Sequence, residues 1–146
     1  MNYSILLVED SEEDVQTCQT TVERMNDADG ELSLSIDSAR TIDEAYCKLK
    51  SNNYHGAIID IKIDDGSGKS GNDVVEEIIK TYRLPVAIFT GTPDVKTDDK
   101  NRIPVYTKRK KTHLKSSTRN PPPKKHKETN RLFSRFIVVV CFGILI

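Results

Sequence analysis

Three short aliphatic runs, YSILLV at 3–8, AIIDI at 57–61 and LPVAIF at 84–89, are separated by stretches whose apolar residues recur at helical spacing. Runs of that length suit strands buried on both faces, and strands that alternate with amphipathic helices build a parallel sheet. Weaker runs at 32–37 (LSLSID) and 103–107 (IPVYT) supply two more strands. Between the strands, Val15, Cys18, Val22 and Met25 mark one helix face; Ile42, Ala45, Tyr46 and Leu49 mark a second; Val74, Val75, Ile78, Ile79 and Tyr82 mark a third. These stripes read as core contacts. Thr41 with Glu44 fits a capping box at the second helix, and Ser11 with Asp14 suggests a start for the first.

After Thr90 the rhythm fades. The segment TGTPDVKTDDKNRIPVYTK has almost no apolar periodicity, so a fourth helix there is expected to be degenerate, and no amphipathic pattern for a fifth follows Lys108. Charge divides the chain of 146 residues at the same place: residues 1–107 hold 11 Lys/Arg against 21 Asp/Glu, whereas 108–146 hold 11 against 1. We therefore expect a domain at 1–108, a basic, proline-containing and disordered linker at 109–131, and an apolar tail at 132–146. The tail's 11 uninterrupted apolar residues fall short of a membrane span, which needs roughly 18–20. It would fold back over the sheet, touch a membrane beside the basic stretch, or be an out-of-frame or truncated end.

Cys18, Cys47 and Cys141 lack metal-type spacing, and His55, His113 and His126 form no triad or metal pattern. With no signal peptide at MNYSILLVED, a cytoplasmic, reducing compartment is expected.

The informative residues are acids at strand ends. In open α/β sheets the ligand crevice lies beyond the carboxyl ends of the strands, where strand order reverses. The first strand ends in Glu9-Asp10 and the third in Asp60, so neighbouring strands would gather three carboxylates. Two like charges at 4 Å repel by about 4 kcal/mol at an effective dielectric near 20, so such a cluster calls for a cation or a shifted pKa. Hard oxygen donors in that number suit Mg2+. Thr90 ends the fourth strand and Lys108 follows the fifth. A hydroxyl and an ammonium beside a metal and a carboxylate are what phosphoryl transfer needs, with Asp60 as nucleophile.

In these five positions and their order the sequence resembles the receiver domain of two-component response regulators, over about residues 3–108. The resemblance implies a flavodoxin-like three-layer sandwich with strand order 2-1-3-4-5. It implies that Asp60 accepts a phosphoryl group from a sensor histidine kinase or a histidine phosphotransfer protein. Asp10 and Asp60 would bind Mg2+ directly, Glu9 through water, and the backbone carbonyl of Lys62 would complete the protein ligands. Thr90, beside the small Gly91, would hydrogen-bond the phosphoryl group, and Lys108 would pair with it. Such a protein is a signalling switch rather than an enzyme, with slow self-dephosphorylation at most, and its core needs no nucleic acid.

The sequence departs from the family in several places. The loop between Asp60 and Gly71 is a few residues longer than the family's, and Asp64 and Asp65 read as turn formers beside Gly66 and Gly68. Arg109 stands where the family has proline. The switch aromatic would fall on Val105, with Tyr106 one place late and on the opposite side of the strand. The alternative is a degenerate receiver that works as an adaptor, its basic tail binding nucleic acid or anionic lipid.

Overall fold

The computed structural model describes residues 2–28, 33–91 and 103–108. The segment of the doubtful fourth helix, the linker and the apolar tail lie outside the described residues. The elements are β1 (Asn2–Val8), α1 (Glu12–Ala28), β2 (Ser33–Ala39), α2 (Ile42–Ser51), β3 (Gly56–Ile59), α3 (Gly71–Glu77, continued by a π turn at Ile78–Tyr82), β4 (Val86–Thr90) and β5 (Val105–Thr107). All neighbouring strands are parallel, in the order β2-β1-β3-β4-β5. This is the flavodoxin-like α/β arrangement that the run pattern and the resemblance imply.

The expected stripes bury the two faces of the sheet. On one face Leu6, Val8, Ala57, Ile59, Val86 and Ile88 pack with Ile42, Ala45 and Leu49 of α2 and with Val74, Val75 and Ile78 at α3. On the other, Ile5, Leu7, Ile58 and Phe89 meet Val15, Cys18 and Val22 of α1. β3 is buried along its whole length, as a central parallel strand must be. Among the described residues no helix is long and apolar enough to cross a membrane.

Boundaries differ from the sequence reading where polar or proline chemistry intervenes. β3 stops at Ile59, so Asp60 lies one residue beyond the strand, its N–H donating to Val8 O at 2.9 Å. β4 starts at Val86 because Pro85 has no N–H to give; its carbonyl accepts from Ala57 N at 2.9 Å. At α2, Thr41 Oγ1 accepts from Glu44 N at 3.1 Å, but the Glu44 carboxylate returns to the N–H of Arg40 at 2.8 Å rather than to that of Thr41. A complete capping box occurs instead at α3, between Ser70 and Asp73. That helix ends in a π turn, with Arg83 N donating to Ile78 O at 2.7 Å and Arg83 left-handed at φ 53°.

Candidate functional site

Each of the five residues read from the sequence lies at or just beyond the carboxyl end of a strand. β1 delivers Glu9 and Asp10, β3 delivers Asp60, β4 ends on Thr90, and Lys108 follows β5, its N–H donating to Thr90 O at 2.9 Å. Glu9, Asp60 and Thr90 are buried, Asp10 and Lys108 partly so, and Gly91 is exposed. One carboxylate oxygen from each of Glu9, Asp10 and Asp60 lies within 4.8 Å of the other two. These are hard donors clustered at the distance a small divalent cation would bridge, so the residues present fit Mg2+.

Lys108 organises the negative charge. Its Nζ donates to Glu9 Oε2 at 2.5 Å, Asp60 Oδ2 at 2.8 Å and Asp14 Oδ2 at 2.9 Å, so that three carboxylates take up the three ammonium hydrogens. Burial alone would favour the neutral amine, but the hydrogen bonds to Asp14, Asp60 and Glu9 outweigh it and hold Lys108 protonated well above its ordinary range. Burial pushes the Glu9 carboxyl up to about 7 despite the opposing pull of Lys108. The other oxygen of Asp60, Oδ1, accepts from Lys62 N at 3.1 Å, so the backbone of Lys62 already adjoins the acid.

Three residues that the sequence reading did not place in the site help to build it. Asp14 stands in the first turn of α1 and was legible only as a partner for Ser11. That bond also forms, Asp14 N donating to Ser11 Oγ at 3.3 Å. Arg40, after β2, donates through Nη2 to Asp10 O at 3.0 Å and pairs through Nη1 with Glu12 Oε2 at 2.8 Å, bracing the acidic loop. Asp65 forms the expected turn, accepting from Ser67 N at 2.9 Å, and also accepts from Ile42 N at the start of α2 at 2.7 Å. A helix N-terminus leaves such N–H groups free, but nothing in the spacing announces an acceptor 23 residues away.

Gly71 is fixed by the site. A Cβ there would lie 1.9 Å from the carbonyl oxygen of Asp60, so α3 approaches the acid as closely as only a glycine permits. Tyr106 is half-buried on the α1 face, against the cluster that holds Phe89, whereas Val105, at the expected switch position, is 42% exposed. The pleat thus turns the two side chains to opposite sides, as the one-residue offset implies.

No protein-family model and no curated sequence matches the chain. Solved structures do. The response regulator TrrA from Thermotoga maritima, in complex with Mg2+-BeF, is 24% identical with a TM-score of 0.52, over 75% of this chain and 88% of its own. The phosphorylated cyanobacterial phytochrome response regulator RcpA is 17% identical with a TM-score of 0.58, over 99% of this chain and 95% of its own. The chain has the receiver-domain fold. The response regulator PhyR from Brucella abortus, 25% identical with a TM-score of 0.56, matches 74% of the receiver-like chain, which spans only 42% of PhyR.

Proposed function

We propose that this receiver-like chain is a phospho-accepting switch, with Asp60 taking a phosphoryl group from the phosphohistidine of a sensor kinase or a phosphotransfer protein. The observation that carries the reading is the bond from Lys108 Nζ to Asp60 Oδ2 inside a cluster of three neighbouring carboxylates. Isolated strand-end acids are solvated. Here Asp60 is buried, with the Lys108 ammonium on Oδ2 and the Lys62 N–H donating to Oδ1. That two structural neighbours are a phosphorylated response regulator and one in complex with Mg2+-BeF supports it further.

In the proposed step an Asp60 carboxylate oxygen attacks phosphorus. The new O–P bond forms as the P–N bond to the donor imidazole breaks, and the electron pair leaves on that nitrogen. Lys108 stays within reach of the transferred oxygens because Glu9 and Asp14 hold its ammonium from the other side. The Thr90 hydroxyl, at the end of β4, would donate to the phosphoryl group, and Gly91 leaves that side open. Glu9, Asp10, Asp60 and the Lys62 carbonyl would hold Mg2+, which when bound supplies neutralising charge for the phosphoryl oxygens. On this reading the chain acts as a signalling switch rather than an enzyme, with slow self-dephosphorylation at most.

Incubation with acetyl phosphate and Mg2+ tests the reading. The full chain should gain one phosphoryl mass, the Asp60→Asn variant none; equal labelling of that variant would place the acceptor elsewhere.

A further inference from the structure

The loop from Asp60 to Gly71, longer than a receiver requires, is tied down at both ends of a short path. Asp64 N donates to Asp10 Oδ2 at 3.1 Å. The next residue, Asp65, reaches the other way, its Oδ2 accepting from Ile42 N at the start of α2 at 2.7 Å while Oδ1 accepts from Ser67 N at 2.9 Å. Farther along, Lys69 lies 3.6 Å from Asp43 and over the Tyr46 ring at 5.4 Å, both on α2. The loop therefore spans from the carboxylate of Asp10 to the first turn of α2.

A carboxylate that ligates a cation through one oxygen is oriented by whatever bonds the other, and loss of such an outer partner typically costs 10- to 100-fold in metal affinity. Asp10 is the partly exposed member of the acidic cluster, whose other two carboxylates are buried. Arg40 bonds its backbone carbonyl rather than its carboxylate. Among the described residues the Asp64 N–H bonds its side chain directly, and that N–H is placed by a loop with two exposed glycines in its turn, Gly66 and Gly68, both at φ 73°.

We propose that Asp65 is a positioning residue for divalent-cation binding: by capping α2 from the loop it fixes the Asp64 N–H on Asp10 and so pre-orients a ligand. The inference rests on the functional reading above and deepens it. It also makes the first turn of α2 part of the site's support, so that loosening either partner is felt at the other.

The test uses the full chain and two readouts, Mg2+ affinity by calorimetric titration and metal-free amide exchange at Asp64 and Ile42 by NMR. Asp65→Ala should weaken Mg2+ binding about tenfold and accelerate exchange at both amides. Asp65→Asn, which keeps one acceptor oxygen in place of two, should fall between. Glu76→Ala, which removes the exposed pair with Lys80 on α3 and touches neither the loop nor α2, should leave affinity within twofold. Wild-type affinity in Asp65→Ala, or unaltered exchange at Asp64, overturns the inference while leaving the phospho-acceptor reading intact. A wild-type chain that binds no Mg2+ at millimolar concentration overturns that reading, and this inference with it.

Discussion

Substitution of Gly71 by alanine would set α3 against the backbone of Asp60. The added methyl would lie 1.9 Å from Asp60 O and 2.8 Å from both Asp60 C and Ile61 Cα, where real Cβ atoms essentially never approach within 3.0 Å. The helix must therefore retreat by more than 1 Å. None of the three obstructing atoms can swing aside, because all are main chain. Retreat also strains the bond from Gly71 N to Ile61 O, now 2.9 Å, and the Ser70–Asp73 box that starts the helix. Overpacking costs about 1–3 kcal/mol and a weakened cap about 1 kcal/mol more, so a loss of about 3 kcal/mol is expected. With a urea m-value of about 1.5 kcal/mol/M, the midpoint should fall by about 2 M. Gly66→Ala provides the contrast: it meets nothing within 4 Å but sits at φ 73°, so it should cost only about 1 kcal/mol through backbone strain. A Gly71→Ala midpoint within 0.3 M of wild type, at unchanged m, would refute the close approach of α3 to Asp60.

Other outcomes follow from the same contacts. Ser70→Ala should cost about 1 kcal/mol in urea unfolding, since it removes the acceptor for Asn72 N and one half of the box. Asp37 is pushed up by burial, but hydrogen bonds from Lys48 and Tyr54 outweigh this and hold its carboxyl below the ordinary range. A depressed folded pKa gives stability that is present above the unfolded value and lost as pH falls through the folded one. Asp37→Asn should therefore lose about 1 kcal/mol at neutral pH, a modest figure because the pair with Lys48 is partly exposed, and should flatten the acid limb of stability against pH. Burial first, then Glu9 and Asp14, raise the Cys18 thiol to about 12, so peptide mapping after alkylation at pH 8 should find Cys47 modified and Cys18 protected.

Much of the fold and the site is legible in the sequence, for identifiable reasons. Central parallel strands need uninterrupted aliphatic residues, so β1, β3 and β4 stood out, and the chemistry of such folds gathers at strand ends, so Glu9, Asp10, Asp60, Thr90 and Lys108 could be named from position alone. Contacts made across the fold were not legible. Asp14 reaches Lys108 over 94 positions and Asp65 reaches Ile42 over 23, and neither separation carries a periodic signal. Strand ends shifted where a residue's own chemistry decided them, as at Pro85. Glu44 showed that a capping pattern fixes the residues but not which of two adjacent N–H groups the carboxylate will take.

The central claim is that Asp60, among these acids, is the one that becomes an acyl phosphate. Its most direct test is borohydride trapping after incubation of the full chain with a phosphodonor and Mg2+, because borohydride reduces an aspartyl phosphate to homoserine and leaves free carboxylates intact. Peptide mass mapping should find homoserine at position 60 only, dependent on both donor and Mg2+. Homoserine at Asp10 or Asp14, or none under conditions in which a known response regulator is labelled, would contradict the account.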